Sequence, residues 1–242
     1  FLSERFDQII IGRFLGAWQL GLYNFSFNII SQPISKINPI FNKVSLPLFA
    51  KIQDDTLMLR STYFKTLRVL AYVNASILLG LFSVSETLVL FVFGEKWRGC
   101  IVLLQLLSIV TLLRSFWNPI GSLLLALGKA SWGFYWNIFL LVITVPAIFL
   151  ASLGGEINYI GLVLISIQLL LFFPAYLLLL KPTLGNCFNQ LVSCLFKPLL
   201  ISVFMAIIVF FAGMWLKDLK SSYMVILLSQ FFIGVLIQAL LI

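Results

Sequence analysis

Long apolar segments follow one another along the chain, separated by short polar connections. After a stub at residues 1–15 that resembles the end of a span, they cover about residues 18–50, 65–93, 100–127, 133–153, 158–180, 195–216 and 221–242. Most of them reach the ~20 residues that an α-helix needs to cross the hydrocarbon layer of a membrane. Gly, Pro and charged residues mark the connections. The pattern predicts an all-α bundle of about seven membrane spans with antiparallel neighbours.

The segment at residues 18–50 differs from the others because its polar residues share one side of a helix. At ~100° per residue, they fall within an arc of about 160°. The residues in this arc are Asn24, Asn28, Ser31, Gln32, Ser35, Lys36, Asn38, Asn42 and Lys43. The pattern fits a basic amphipathic helix on the membrane surface or a span whose polar face lines a water-filled cavity. The length of the segment and the spans on both sides favour the cavity.

Three prolines, Pro33, Pro39 and Pro47, interrupt the same segment. A proline inside a helix removes one backbone hydrogen bond and bends the helix. The sequence is compatible with a helix that flexes between two states and equally with a static kink.

A second polar face follows at residues 100–127. An arc of about 120° on this helix holds Gln105, Ser108, Thr111, Arg114, Ser115, Asn118 and Ser122. Arg114 falls near the middle of the segment, where a cation costs several kcal/mol or more unless it meets water or a partner. A functional role is favoured for Arg114, with a buried structural ion pair as the alternative.

Composition agrees with a membrane protein and excludes several other classes. Hydrophobic residues make up 62% of the 242 residues, the mean hydropathy is +1.11, and only 10% are charged, against ~25% in soluble domains. The net charge of +8 comes without a clustered basic face outside the spans, so nucleic acid is not an expected partner. The three cysteines form neither a CxxC motif nor a Cys/His cluster, which argues against a zinc site or a disulfide framework.

The distribution of cations over the connections predicts an orientation. Alternating the connections gives one side Lys51, Arg60, Lys65, Arg68, Lys129, Lys181 and Lys197, and the other side Arg13, Lys96, Arg98, Lys217 and Lys220. Cytoplasmic connections carry the excess of Lys and Arg. The first side, which includes residues 51–65, is therefore predicted to face the cytoplasm.

Groups for catalysis are lacking in the sequence. The chain has no His, no Gly-rich nucleotide loop and no pair of carboxylates at a workable spacing, so neither an enzyme nor a cofactor or metal is expected. Asp54 and Asp55 read as a solvated helix end. Of the carboxylates near membrane depth, Asp7 is a candidate for ion coupling, and Glu86 fits an interfacial residue better.

Four stretches carry a resemblance to a known family. They read "DQIIIGRFLGAWQLGLYNFSF", "SKINPIFNKVSLPLFAKIQDD", "FGEKW" and "LLRSFWNPIGSLLLALGK". They resemble the polysaccharide-transport branch of the multidrug/oligosaccharidyl-lipid/polysaccharide exporter superfamily, especially Wzx-type flippases of the colanic-acid exporter kind. The resemblance covers about residues 5–190.

The resemblance implies a fold of two six-helix lobes with a cleft between them, and in some members two further helices. Residues 1–185 would be the second lobe with its first span truncated, and residues 186–242 the two additional, peripheral helices. The amino-terminal lobe would then be missing from this sequence. The protein is expected in the bacterial inner membrane as a multi-pass protein.

The family's substrate is an oligosaccharide on undecaprenyl pyrophosphate, moved to the outer leaflet by alternating access. Carried onto this sequence, Lys36, Lys43 and Arg114 would attract the pyrophosphate. Hydrogen bonds to sugar hydroxyls would come from Asn28, Gln32, Asn42 and Asn118. These assignments depend on the helical wheels, because the family has no strict motif for them.

Two other functions stay open on the sequence. A multidrug or cation antiporter of the same superfamily is disfavoured by a cationic cavity wall. An integral-membrane enzyme of envelope assembly, such as a polysaccharide polymerase, usually has a large periplasmic loop, and the connections here are short.

Overall fold

Helices account for nearly all of the chain in a computed structural model of the protein, which describes residues 2–218 and 222–241. The α-helices are α1 (Leu2–Phe14), α2 (Gly16–Lys51), α3 (Thr56–Leu88), α4 (Ile101–Ser115), α5 (Asn118–Ala126), α6 (Ala130–Ser152), α7 (Ile157–Ala175), α8 (Lys181–Leu184), α9 (Phe188–Asp218) and α10 (Tyr223–Leu241). A π-helical segment (Val89–Phe93) and a 3-10 segment (Glu95–Cys100) join α3 to α4, and a second π-helical segment (Tyr176–Leu180) joins α7 to α8. The all-α fold is confirmed. Lys220, which entered the charge distribution, lies outside the described residues.

Six stretches among the described residues are long and apolar enough to cross a membrane. They are Thr56–Phe93, Glu95–Ala126, Ala130–Ser152, Ile157–Leu184, Phe188–Lys217 and Tyr223–Leu240. The chain is therefore a multi-pass membrane protein. The count is one lower than the seven predicted, because α2 is not in this set. Its 36 residues are long enough, but the polar face makes its composition too hydrophilic.

Helices α3 and α4 lie at the centre of the bundle. Leu67 of α3 and Leu103 and Leu104 of α4 are fully buried. The pair contacts α2 on one side, while α9 packs along α3 and α7 packs along α4. One face of α2 is left uncovered by the described residues.

Charged residues mark where α3 and α9 leave the apolar layer. No charged residue lies between Arg68 and Glu86 on α3, a rise of about 27 Å, and Lys197 and Lys217 on α9 are about 30 Å apart. Lys217 Nζ forms an ion pair with Glu86 Oε2 at 2.7 Å. Both lengths match the ~30 Å hydrocarbon layer, so these residues define its two boundaries in this bundle.

Helix α9 packs closely on α3 with its inner side and exposes its outer side. The Cys194 thiol donates a hydrogen bond to the Phe64 carbonyl at 3.2 Å, and Ser202 is fully buried. Phe196 and Phe204 on the outer side are more than half exposed, as expected for a surface that contacts lipid tails. The division of the chain at residues 185 and 186 into a lobe and an additional pair stays a prediction.

The orientation can be tested with two exposed positions at opposite ends of α3. We expect Lys96→Cys to react with an impermeant thiol reagent in intact cells, and Asp54→Cys to react only after the cells are opened. Asp54 is preferable to Asp55, because Asp55 Oδ1 accepts the Met58 N–H at 2.9 Å and a lost helix cap costs about 1 kcal/mol. Cys100, Cys187 and Cys194 are buried, and a variant with all three replaced by Ala gives the background. Reaction of Asp54→Cys in intact cells would reverse the orientation.

Candidate functional site

Helix α2 stays continuous from Gly16 to Lys51 although three prolines lie inside it. Pro33, Pro39 and Pro47 each leave a carbonyl four residues earlier without its usual donor. Packing compensates for these losses, since the side chains of Leu22, Ile30 and Phe49, spread along the helix, are buried against the bundle. The prolines therefore do not end the helix, and α2 extends alongside the spanning helices.

Four of the predicted site residues lie on the uncovered face of α2. Asn28, Gln32, Lys36 and Lys43 are all exposed, and together with the exposed Ile40 and Val44 they form the open face of the helix. Ile30, which the helical wheel assigned to the opposite side, is only 1% exposed. The wheel also placed Ile40 and Val44 outside the polar arc, yet their side chains are 64% and 63% exposed. The covered side of α2 therefore agrees with the wheel at Ile30 but not at these two positions.

Asn42 and Asn118, two further predicted site residues, meet each other across α2 and α5. Asn42 Oδ1 accepts hydrogen bonds from Asn118 Nδ2 at 3.2 Å and from Ser122 Oγ at 3.3 Å. Both residues belong to the polar arcs of their helices, so part of each arc is used in the contact between α2 and α5. Asn42 and Asn118 thus connect α2 to α5. Only Asn42 Nδ2 and Asn118 Oδ1 are not used in this bond.

Asn38 on α2 contacts a residue that the sequence analysis did not single out. Its Oδ1 accepts a hydrogen bond from Asn74 Nδ2 of α3 at 3.2 Å, and Asn74 is fully buried. A buried amide without a partner is costly in an apolar layer, so this bond fixes α2 against α3. The one sequence signal was an asparagine inside an otherwise apolar span.

The Asn38–Asn74 bond also fixes the depth of the cations. Asn74 lies about 5 Å from the midpoint between Arg68 and Glu86 on α3. Because α2 and α3 are antiparallel, Lys36 then lies within about 2 Å of the mid-level. Through the Asn42–Asn118 bond, Arg114 lies within about 5 Å of that level, and Lys43 lies about 12 Å from it, close to one boundary.

Arg114 occupies the last turn of α4, just before a break in the helix. Phe116 and Trp117 separate α4 from α5, and the Trp117 N–H bonds the Arg114 carbonyl at 3.1 Å. Pro119 near the start of α5 cannot donate to a preceding carbonyl. A cation at a helix carboxyl end is favoured by the helix dipole by about 0.3–1 kcal/mol. The helix end thus lowers the free-energy cost of a half-buried arginine near mid-depth, but the positive charge of Arg114 remains.

None of the three predicted cations pairs with a carboxylate among the described residues. The ion pairs found there are Arg98 with Glu95 and Lys217 with Glu86. Lys36 and Lys43 are exposed, and Arg114 is partly buried. The structural alternative for Arg114, a buried ion pair, is therefore absent from this part of the chain.

Asp7, the residue predicted to couple an ion, lies between α1 and α2. It is 2% exposed, and its Oδ2 accepts a hydrogen bond from the Tyr23 hydroxyl at 3.4 Å. The carboxyl is thus packed against α2 and does not lie on the open face. Tyr23 is a second residue that the sequence analysis did not include in the site.

An aromatic cluster fixes the end of α2 farthest from Lys43. Trp97 of the 3-10 segment stacks on Phe25 with ring centroids 4.1 Å apart, and Trp18 lies 6.5 Å from Trp97. Ser26 donates a hydrogen bond to the Cys100 carbonyl at 3.4 Å. These contacts hold the connection before α4 against α2, so α4 begins at the level of Ser26, about 15 Å along α2 from its first residue.

Comparisons with known proteins agree with the resemblance found in the sequence. Residues 1–102 match the model of a family described as "Polysaccharide biosynthesis protein". The chain is 39% identical over 220 residues to the lipopolysaccharide biosynthesis protein WzxC of Escherichia coli K12, which covers 90% of this chain and 44% of that protein. It is 37% identical over 212 residues to the teichuronic acid biosynthesis protein TuaB of Bacillus subtilis 168, covering 86% of this chain and 43% of that one.

A third relative is an uncharacterized membrane protein in the cps region of Klebsiella pneumoniae, 34% identical over 226 residues, or 93% of this chain and 47% of that one. The chain thus spans about half the length of the curated relatives it matches. No solved structure gives a significant match.

Proposed function

Since the chain belongs to the polysaccharide biosynthesis protein family of membrane flippases, we propose that its protein moves a lipid-linked oligosaccharide across the membrane along the open face of α2. The lipid anchor is undecaprenyl pyrophosphate, and the protein acts in the bacterial inner membrane for a surface polysaccharide. It works as a transporter and not as an enzyme.

The observation that carries the proposal is the presence of cations near mid-depth without carboxylates beside them. Lys36 and Arg114 lie within about 5 Å of the mid-level of the bundle, and neither forms an ion pair with a described residue. A cation at that depth is costly unless water or a partner meets it. An anionic guest such as a pyrophosphate is a partner that would make this arrangement favourable during transport.

The amides on either side of Lys36 suit the sugar part of such a guest. Asn28 and Gln32 are exposed on the same helix face, about 12 Å and 6 Å from Lys36 along the axis. An amide both donates and accepts, which matches the hydroxyl groups of a sugar. Asn42 and Asn118 contribute the Nδ2 and Oδ1 atoms that their mutual bond does not use. Lys43, near the boundary, meets the pyrophosphate first.

Transport further requires a second wall for the cavity, which we propose is the amino-terminal lobe of the same protein. The two lobes alternate between openings to the two sides of the membrane. Helix α2, bent by its prolines, and the break between α4 and α5 are the points where this lobe adapts. Asp7, held by Tyr23 beside α2, couples an ion to the movement.

A cation antiporter is disfavoured by the same observation, because the open face carries Lys36 and Lys43 and no described carboxylate faces them in an ion pair. A polymerase would act on repeat units that have already reached the outer leaflet. The location of the lipid-linked units therefore separates a flippase from a polymerase.

Cells that lack the full-length protein provide the test. We expect them to lose surface polysaccharide and to retain its lipid-linked repeat units in the inner leaflet, where they are protected from periodate added to spheroplasts. Opened spheroplasts are the control and should show oxidation of the same units. Units that are already oxidised in closed spheroplasts would show that flipping does not need this protein and would favour the polymerase.

A further inference from the structure

A cavity with a mixed polar and apolar lining lies at the end of the bundle where most of the cations are found. It has a volume of about 500 Å³ and lies between α3 and the turn that leads into α9. It is lined by Arg60, Tyr176, Asn186, Cys187, Phe188, Asn189 and Gln190. The cavity is separate from the open face of α2, because α2 contributes no residue to its lining.

The lining combines one cation, several amides and an aromatic floor. Arg60 Nε donates a hydrogen bond to Gln190 Oε1 at 2.8 Å, which orients the guanidinium and leaves its terminal nitrogens for a ligand. Tyr176 and Phe188 pack edge to face with ring centroids 5.1 Å apart. The Tyr176 hydroxyl accepts the Cys187 N–H at 3.1 Å, so its own proton remains available as a donor.

Arg60 also lies close to the Cys187 thiol in the turn before α9. Burial raises the pKa of Cys187, while the nearby Arg60 guanidinium acts in the opposite direction. Arg60 is partly buried, and its bond to Gln190 holds it against the wall of the cavity.

Two further cations lead from this cavity to the membrane boundary. Arg68 follows Arg60 by about 12 Å along α3 and about 80° around it, and both face α9, since Arg60 bonds Gln190 and Arg68 lies beside Cys194. Lys197 follows one turn later on α9. Arg60, Arg68 and Lys197 thus form a cationic seam between α3 and α9, from the hydrocarbon boundary up to the cavity.

Carboxylates do not neutralise this seam in the part of the chain that the structure describes. Neither of the ion pairs found there involves the three cations. The carboxylates on this side are Asp54 and Asp55, and Asp55 caps the first turn of α3. A seam of like charges between two packed helices is self-repelling, and an anion between them would remove that repulsion.

We propose that this seam and cavity bind the headgroup of an anionic phospholipid, of the phosphatidylglycerol type, from the adjoining leaflet. The phosphate lies along Arg68, Lys197 and Arg60 at the boundary. The hydroxyl groups of the headgroup enter the cavity and bond the amides of Asn186 and Asn189. The lipid thereby joins α9 to α3 at this end, as the Glu86–Lys217 ion pair does at the other. Basic pockets between membrane helices commonly take such headgroups.

The test uses the purified full-length protein and measures bound lipid by native mass spectrometry after exchange into mixed phosphatidylglycerol and phosphatidylcholine. We expect retention of phosphatidylglycerol to exceed that of phosphatidylcholine and to fall about tenfold in Arg60→Gln, since a hydrogen bond to a charged group is worth that factor. Asn189→Asp should give a similar loss by repulsion, and it leaves the Arg60–Gln190 bond intact. Lys51→Gln is the control, because Lys51 is an exposed cation at the same end of the bundle but belongs to α2, and this variant should retain the lipid.

Thermal stability distinguishes a bound lipid from a soluble anion and from a purely structural role of Arg60. Phosphatidylglycerol should raise the Tm of the wild type and of Lys51→Gln, and raise it much less in Asn189→Asp, while inorganic phosphate should not replace it. Equal stabilisation by inorganic phosphate would overturn the lipid assignment in favour of a soluble anion. An Arg60→Gln variant with a lower Tm but unchanged lipid retention would show that Arg60 only stabilises the contact between α3 and α9. That result would contradict the proposal.

Discussion

Replacing Lys36 and Arg114 together with Gln should abolish export of the surface polysaccharide by the full-length protein. Each single variant should lose about tenfold, because a hydrogen bond between charged groups contributes roughly 1.5–3 kcal/mol and ~1.4 kcal/mol is a factor of ten. Both cations lie near mid-depth without a carboxylate partner among the described residues. The measurement is surface polysaccharide at matched protein levels in cells that lack the native protein.

Two control variants separate charge in the cavity from charge in general. Lys51→Gln removes a cation from the same helix, but Lys51 lies outside the polar arc at the end of α2, so export should be retained. Lys36→Arg keeps the charge and should lose less than Lys36→Gln. The Lys36 side chain is exposed and adds little packing, so the neutral variants should still fold. Full export by the double variant would refute the cationic cavity.

Replacing Gly161 with Leu should prevent α7 from packing on α4. A Cβ atom at position 161 would lie 2.8 Å from Leu106 Cβ and 2.9 Å from its Cδ1. Leu106 Cβ is next to the backbone of α4 and cannot move aside without a shift of the helix. Overpacking of this kind costs about 1–3 kcal/mol. Gly161→Leu should destabilise the protein more than Gly161→Ala would, because the Leu side chain is larger. The measurement is the Tm of the purified full-length protein, together with its yield in the membrane.

Gly121→Ala is the matched control for this prediction. Gly121 also lies inside a helix, but a Cβ built on it meets nothing within 4 Å. Ala is favoured over Gly in a helix interior by up to ~1 kcal/mol, so the variant should be as stable as the wild type or more stable. An unchanged Tm in Gly161→Leu would show that α4 and α7 do not approach as closely as the structure indicates.

The sequence alone was sufficient for the approximate bounds of most long helices, although the segment predicted at residues 100–127 is divided into α4 and α5. A helix inside a membrane must satisfy all its backbone polar groups internally, so each apolar segment of sufficient length has essentially one conformation available. The segments predicted at residues 133–153 and 195–216 correspond to α6 and α9. The ends of α3 and α9 reach further than their apolar parts, because Arg60 and Gln190 continue the helices outside the hydrocarbon layer.

The helical wheel identified the polar side of α2 but not how that side is divided. Asn28, Gln32 and Lys36 are open, whereas Asn38 and Asn42 contact α3 and α5. The sequence of one helix does not show which neighbouring helix covers a given part of its polar arc. The cavity at Arg60 and Gln190 was likewise beyond prediction, because these residues are 130 positions apart in the chain.

Local chemistry therefore determined which residues of this protein are helical, which segments are apolar and which faces are polar, since these properties depend on neighbours a few positions away. Packing between helices decided the rest. The Asn38–Asn74 and Asn42–Asn118 bonds fix how far α2 is shifted along α3 and α5. That shift brings Lys36 and Arg114 to similar depths. It could not be predicted from the sequence pattern, because the displacement of one helix along another depends on the contacts between them.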